Sequence, residues 1–261
     1  MGEVQGAVML IRSTWTLATS EPIALPKSYR LELIKQLHRR MGLEFDGEIP
    51  AATFSGIVGR SRAAGDFVSF GAEEEFRLSL CGLQTEASKA IADLDLTDGL
   101  ELLGAKFQVL NREDEVTSYE TLYQTFVATE PECPNRFELR FLTPTAFSQG
   151  RVHLPLPVPT LMFRSWVERW NHFAPVYLGS EDLIGYLGES IVLSRHRLQT
   201  QSFPVHASRV TGFTGEITLQ VLSRIDPLIA NVTALLMEYS RFAGTGMKTR
   251  LGMGVTQLNQ V

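Results

Sequence analysis

Apolar positions along the chain change period in a regular order. Leu31, Ile34, Leu37 and Met41 recur every three to four residues, one stripe of a helix expected from Ser28 to Met41, with Pro26 ahead of it and Gly42 as its stop. Before it, Ala7 to Leu17 is rich in β-branched and apolar residues and predicts a strand. After it the pattern predicts strands near Phe54–Val58 and Phe76–Leu80, a helix over Thr85–Asp93, and strands near Glu101–Leu110 and Ser118–Phe126. Two prolines in Glu130-Pro-Glu-Cys-Pro-Asn135 mark a linker, which divides the chain into residues 1–130 and 136–261. The second part starts again with a strand, Arg136–Leu142, a proline-rich loop to Pro159 and a helix over Thr160–Phe173. Strands near Ser190–Phe203 and a hairpin over Val210–Leu222 follow. Asp226 and Pro227 then open a helix whose apolar face is Leu228, Val232, Leu235, Leu236 and Tyr239. A closing strand is expected within Leu251–Leu258. Each part fits the order βαββαβ, and the class is α+β.

Between that last helix and strand lies Gly244-Thr-Gly-Met-Lys-Thr-Arg-Leu-Gly-Met-Gly254. Four glycines, Gly244, Gly246, Gly252 and Gly254, bracket two cations, Lys248 and Arg250, and no anion. Glycine permits positive φ and close approach, so the stretch suits a loop that sets N–H groups and cations against a phosphate. The residues alone equally allow a glycine-rich turn between two elements. Two familiar motifs are excluded. A dinucleotide fingerprint runs strand, glycines, helix, the reverse of this order, and Thr249 stands where its third glycine belongs. A Walker A loop needs Gly-Lys-Ser/Thr, whereas Lys248 follows Met247.

The glycine stretch resembles the C-terminal signature of the RAMP superfamily, and within it the CRISPR repeat-processing endoribonucleases. Leu139-Arg-Phe-Leu-Thr-Pro-Thr-Ala-Phe147, the run Leu154-Pro-Leu-Pro, and Phe163-x-x-Trp166 through Arg169-Trp-Asn171 resemble the opening of that family's second domain. Gly212-Phe-x-Gly215 resembles its later hairpin, and Leu37-His38 with Phe54-Ser-Gly56 the end of its first helix and the strand beyond. Residues 66 to 132 match least. The resemblance implies tandem ferredoxin-like (RRM-like) domains packed together. It also implies RNA scission without a metal or other cofactor, in which the 2′-hydroxyl attacks the adjacent phosphorus to leave a 2′,3′-cyclic phosphate and a 5′-hydroxyl. The partner is then CRISPR repeat RNA, with subunits of an effector complex as further candidates, for a monomer or homodimer.

Such chemistry needs proton carriers and cations for the phosphorane charge. Of five histidines, His38 sits near the end of the first helix, where the family's catalytic histidine is found, and by helical phase on the edge of the apolar stripe. A helix-edge histidine with no duty is the plain alternative. Tyr29 is a second candidate through the resemblance, although nine residues put it on the opposite side of the helix unless the helix starts later. Lys35, Arg39 and Arg40 flank His38, and Arg195 and Arg197 surround His196; with the glycine loop these are the expected RNA contacts. His206 is expected near the hairpin, and His153 and His172 to be structural.

Net charge is −5, awkward for an RNA binder, but it is unevenly spread. Residues 66–138 hold 16 acidic and 5 basic residues, so the rest is net positive. Two cysteines give no disulfide framework and no zinc spacing, consistent with a cytoplasmic protein, and Cys81 is expected as a core thiol. No apolar run reaches membrane-spanning length, and the first residues form neither a basic signal peptide nor a myristoylation site. Two other functions stay open beside the nuclease: a RAMP-type subunit that holds guide RNA without cutting, and a nucleotide or phosphometabolite binder that uses only the glycine loop.

Overall fold

Strand and helix follow one another twice in the same order. The computed structural model describes residues 8–43, 47–205, 208–222 and 225–259. In the first half these are β1 (Met9–Ala18), β2 (Ile23–Pro26), α1 (Tyr29–Met41), β3 (Ala52–Gly59), β4 (Ser61–Ala64), β5 (Phe67–Phe70), β6 (Phe76–Gly82), α2 (Thr85–Ala92), β7 (Leu100–Leu102) and β8 (Ala105–Ser118). Next come α3 (Tyr119–Tyr123), β9 (Arg136–Thr145), β10 (Phe147–Gln149), β11 (Val152–Leu154), α4 (Pro159–Phe173), α5 (Glu181–Ser190), β12 (Ile191–Val205), β13 (Ser208–Val221), α6 (Pro227–Ala243) and β14 (Thr256–Asn259).

The first sheet has the order β3-β6-β1-β8-β7 and the second β12-β13-β9-β14. In each, the first strand of the repeat is central beside the third, with the second and fourth outside them. That is the ferredoxin-like arrangement, here in tandem. β2, β5 and β4 make a separate small sheet, too short to be read from periodicity.

Three expectations need correction. Glu101–Leu110 is not one strand but a hairpin, β7 and β8 pairing across a turn at Leu103-Gly104. Ser118–Phe126 is not a strand: β8 runs to Ser118, whose hydroxyl then accepts the Thr121 N–H at 3.0 Å and caps a helix. Tyr119 and Leu122 are buried, three apart on one face, and the helix continues as a π-helical turn over Gln124–Ala128. The closing strand is also shorter than expected, because Thr249–Leu251 forms a 3₁₀ turn and pairing starts at Thr256. α5 was missed, although Ser180 followed by Glu181 and Asp182 is a helix-start signal.

The two halves exchange core residues. Leu10, Leu83 and Tyr119 are buried with Trp170 and Tyr239, while Phe203, Val210, Leu251 and Met253 are buried with Trp15, Leu37 and Phe54. Each such apolar side chain contributes about 1.5–3 kcal/mol by leaving water, so the contact between halves is apolar and strong. Cys81 is in the core as expected, its thiol facing the Arg241 carbonyl at 3.8 Å. Among the described residues no helix is long and apolar enough to cross a membrane.

Candidate functional site

α6 delivers the glycine loop. The Asp226 carboxylate accepts the Leu228 N–H at 2.9 Å, Pro227 stands in the first turn, and the helix ends at Ala243 with Gly244 turning the chain away. The loop then wedges between the halves. A Cβ on Gly246 would lie 2.4 Å from the Ala146 carbonyl oxygen, and one on Gly254 would lie 2.0 Å from that of Thr245; both residues have positive φ. The glycines are thus required by close backbone packing.

Their N–H groups face inward. Gly244 donates to the Ser240 carbonyl, Gly246 to the Ser165 hydroxyl, Gly252 to the Thr249 carbonyl and Gly254 to the Pro144 carbonyl, at 2.9 to 3.3 Å. The four glycine N–H donors are thus spent inside the protein, and Lys248 and Arg250 are the cations the loop carries. Trp166, fully buried, holds the loop's start by donating its indole N–H to the Gly244 carbonyl and Thr245 hydroxyl, each at 3.1 Å. Arg169 donates to the Gly246 and Ser165 carbonyls from a buried position. Lys248 is half-buried with φ of 57°, and half-buried Arg250 donates to the Gly47 carbonyl at 3.3 Å.

α1 packs against the Thr249–Leu251 turn of this loop, and His38 lies on its buried face. The imidazole is 6% exposed and belongs to the buried face with Leu33, Ile34 and Leu37, rather than to its edge. Helical phase alone misplaced the stripe: Leu31 and Met41 are only partly buried, because the loop and β3 cover the His38 side. The His38 ring packs 4.9 Å from the Phe54 ring, and its Nδ1 lies 3.4 Å from the Leu43 carbonyl. A carbonyl only accepts, so the tautomer consistent with this contact has its hydrogen on Nδ1 and Nε2 as the basic nitrogen. Burial pushes the His38 pKa below its ordinary 6.5; the Leu43 carbonyl opposes the shift and the Arg250 charge adds to it. His38 and Arg250 therefore share one electrostatic environment.

The other expected residues are spread more widely. Tyr29 is the first residue of α1, fully buried, and donates its hydroxyl to the Ile57 carbonyl at 3.3 Å. Burial raises its pKa, and it lies about 13 Å along the axis from His38, so the later helix start that a joint role needs is absent. Lys35, 3.9 Å from Glu32, and Arg39 and Arg40 are exposed along α1. Arg195 and Arg197 are exposed on β12 and line a hollow with Glu138 and Glu216 of the second sheet, a lining that includes no residue of α1 or the glycine loop. His153, His172 and His196 are exposed, and His206 lies outside the described residues. The acidic middle is answered locally: Asp114 pairs with Arg112 at 2.9 Å and Glu115 with Arg241 at 2.6 Å.

Sequence reading did not single out the recess beside the loop. A cavity of about 500 Å³ opens between Glu48–Pro50, β10, one face of α4 and Gly246–Met247. Its signal was Leu161, Ser165, Glu168 and Arg169, one face of α4 at helical spacing.

Residues 139–256 match the family model of the CRISPR-associated endoribonuclease Cas6. A protein of that name from Mycobacterium tuberculosis is 33% identical over 159 residues, which is 61% of this chain and 49% of that one. Another, from Streptococcus thermophilus, is 30% identical over 125 residues, 48% of this chain and 51% of that one. Over these residues the chain is similar to the Cas6 family.

It spans about half the length of the curated relatives it matches. A Cas6 product complex superimposes with a TM-score of 0.70 at 22% identity over 97% of this chain and 100% of that one, which places the fold among Cas6 structures. The matched residues run from β9 to the start of β14 and include the glycine loop; His38 lies ahead of them.

Proposed function

We propose that this chain cuts CRISPR precursor RNA within its repeats, without a metal, by attack of a 2′-hydroxyl that leaves a 2′,3′-cyclic phosphate and a 5′-hydroxyl. The observation that carries the reading is the packing of the Thr249–Leu251 turn of the glycine loop against α1 and β3, which brings the Arg250 charge to bear on the buried His38. A neutral imidazole is a base, and an arriving phosphodiester anion raises its pKa by favouring the charged form, so one group serves to take and return a proton. Arg250 and Lys248 supply positive charge where the phosphorane develops. Lys35, Arg39, Arg40, Arg195 and Arg197 are the backbone contacts in this reading, while Gly244, Gly246, Gly252 and Gly254 shape the loop. Tyr29 enters as the anchor of the first turn of α1. The two ferredoxin-like units, residues 1–130 and 136–261, act as one RNA-facing body in the cytoplasm.

The slight exposure of His38 favours a second reading, a subunit that holds guide RNA within an effector complex without cutting. One assay separates the two. Repeat RNA incubated with the protein in EDTA is cut at one position with cyclic phosphate ends, and His38→Ala slows the cut by about 10²–10⁴-fold while binding is kept. Cleavage that requires Mg²⁺ would overturn the chemistry, and binding without cleavage would select the second reading.

A further inference from the structure

The cavity of about 500 Å³ beside the glycine loop has no assigned occupant. Its walls are apolar on several sides, from Ile49, Pro50, Phe147, Leu161 and Met247. Its cations are already engaged. Arg164 makes a two-pronged pair with Glu181, both contacts at 2.7 Å, and Arg169 spends its terminal nitrogens on the Ser165 and Gly246 carbonyls. Glu48 and Glu168 also line it, both exposed carboxylates. A phosphate would meet these two carboxylates, while of the two guanidinium groups Arg164 is already charge-paired with Glu181 and Arg169 is buried with its terminal nitrogens turned to backbone carbonyls. A neutral planar group with N–H donors meets apolar walls for stacking and carboxylates that accept.

The recess also adjoins the His38–Arg250 site. Gly246 and Met247 belong to the same loop as Arg250, and the Gly47 carbonyl that Arg250 holds at 3.3 Å immediately precedes Glu48. RNA is read mainly through unstacked single-stranded bases, and a recess next to the reacting phosphate suits one such base.

We propose that this recess takes one unpaired nucleobase bearing an exocyclic amino group, adjacent to the scissile phosphate, with Glu168 accepting from that amino group. This rests on the endoribonuclease reading above. The test uses the full chain and RNA copied from the repeat of its source genome. Each nucleotide within three of the cut is replaced in turn by an abasic residue and by uracil, and binding and single-turnover cleavage are measured. One position loses about tenfold or more in affinity when abasic, as expected for a stacked base. Uracil at that position binds less well than the native base. Glu168→Ala, an exposed change that removes the acceptor, abolishes the preference over uracil yet binds the abasic RNA as wild type does. Ser148→Trp, filling the recess from the exposed β10, weakens binding of native RNA but not of the abasic one.

If wild type cuts the repeat and every abasic substitution is tolerated within about twofold, the nucleobase pocket is refuted while the nuclease reading stands. If the abasic position matters but Glu168→Ala and Ser148→Trp act equally on native and abasic RNA, the base sits elsewhere and the pocket is likewise refuted. If wild type neither binds nor cuts the repeat, both readings fall.

Discussion

Replacing Gly254 by alanine isolates the packing of the glycine loop. Gly254 has φ of 75°, and an added Cβ would lie 2.0 Å from the Thr245 carbonyl oxygen and 3.2 Å from the Thr245 nitrogen. Left-handed backbone costs an alanine about 1–2 kcal/mol. The clash is with backbone, which no rotamer change relieves, and forced overpacking of this kind costs a further ~1–3 kcal/mol. Lower entropy of the unfolded chain returns about 0.4–1 kcal/mol. The net loss is then about 1–5 kcal/mol, a large share of the ~5–15 kcal/mol that holds a folded domain. Gly42→Ala is the matched control: Gly42 has φ of 64°, and nothing lies within 4 Å of its added Cβ. It carries the backbone cost and the entropy gain without the clash, so it loses at most about 1–2 kcal/mol. Urea unfolding followed by tryptophan fluorescence reads the difference, because Trp166 donates to the loop at Gly244 and Trp170 lies in the same core. If Gly254→Ala unfolds no earlier than Gly42→Ala, the loop is not a packed wedge at this position.

The pH dependence of stability tests the environment of His38. Its folded-state pKa lies below the ordinary 6.5, so the unfolded chain takes up the proton first as pH falls. Stability present above 6.5 is therefore lost as pH drops from there through the folded value, and His38→Gln should reduce the drop in urea midpoint between about pH 7.5 and about pH 5. An undiminished drop in the variant would show that His38 is as solvated when folded as when unfolded. On the loop, Lys248→Ala with Arg250→Ala should weaken repeat-RNA binding and make the dependence of log affinity on log salt shallower by about 1–1.5. Wild-type affinity and slope in that double variant would restrict the loop to a structural role.

Caps and periods are relations between near neighbours in sequence, and those the chain by itself determined. The Asp226–Pro227 start and Gly244 stop of α6, the helix ending at Gly42, and the doubled order of strands and helices were all legible. Local signals misled where a neighbour in space decided the outcome. Tyr119 and Leu122 sit in a stretch with strand propensity, yet they pack into the core shared with Trp170 and Tyr239, and the helix capped by Ser118 presents them there. His38 appeared to lie on the rim of α1, since helical phase sees only the helix itself. Phe54 and the distant glycine loop cover that flank, bury the imidazole and bring Arg250 to bear on it. The glycine pattern announced a tight loop, but only the tertiary structure spent its N–H groups on Ser240, Ser165, Thr249 and Pro144. Burial and hydrogen-bond pairing depend on segments that meet only after the two sheets close on each other, so they are set by the packed chain and not by local order.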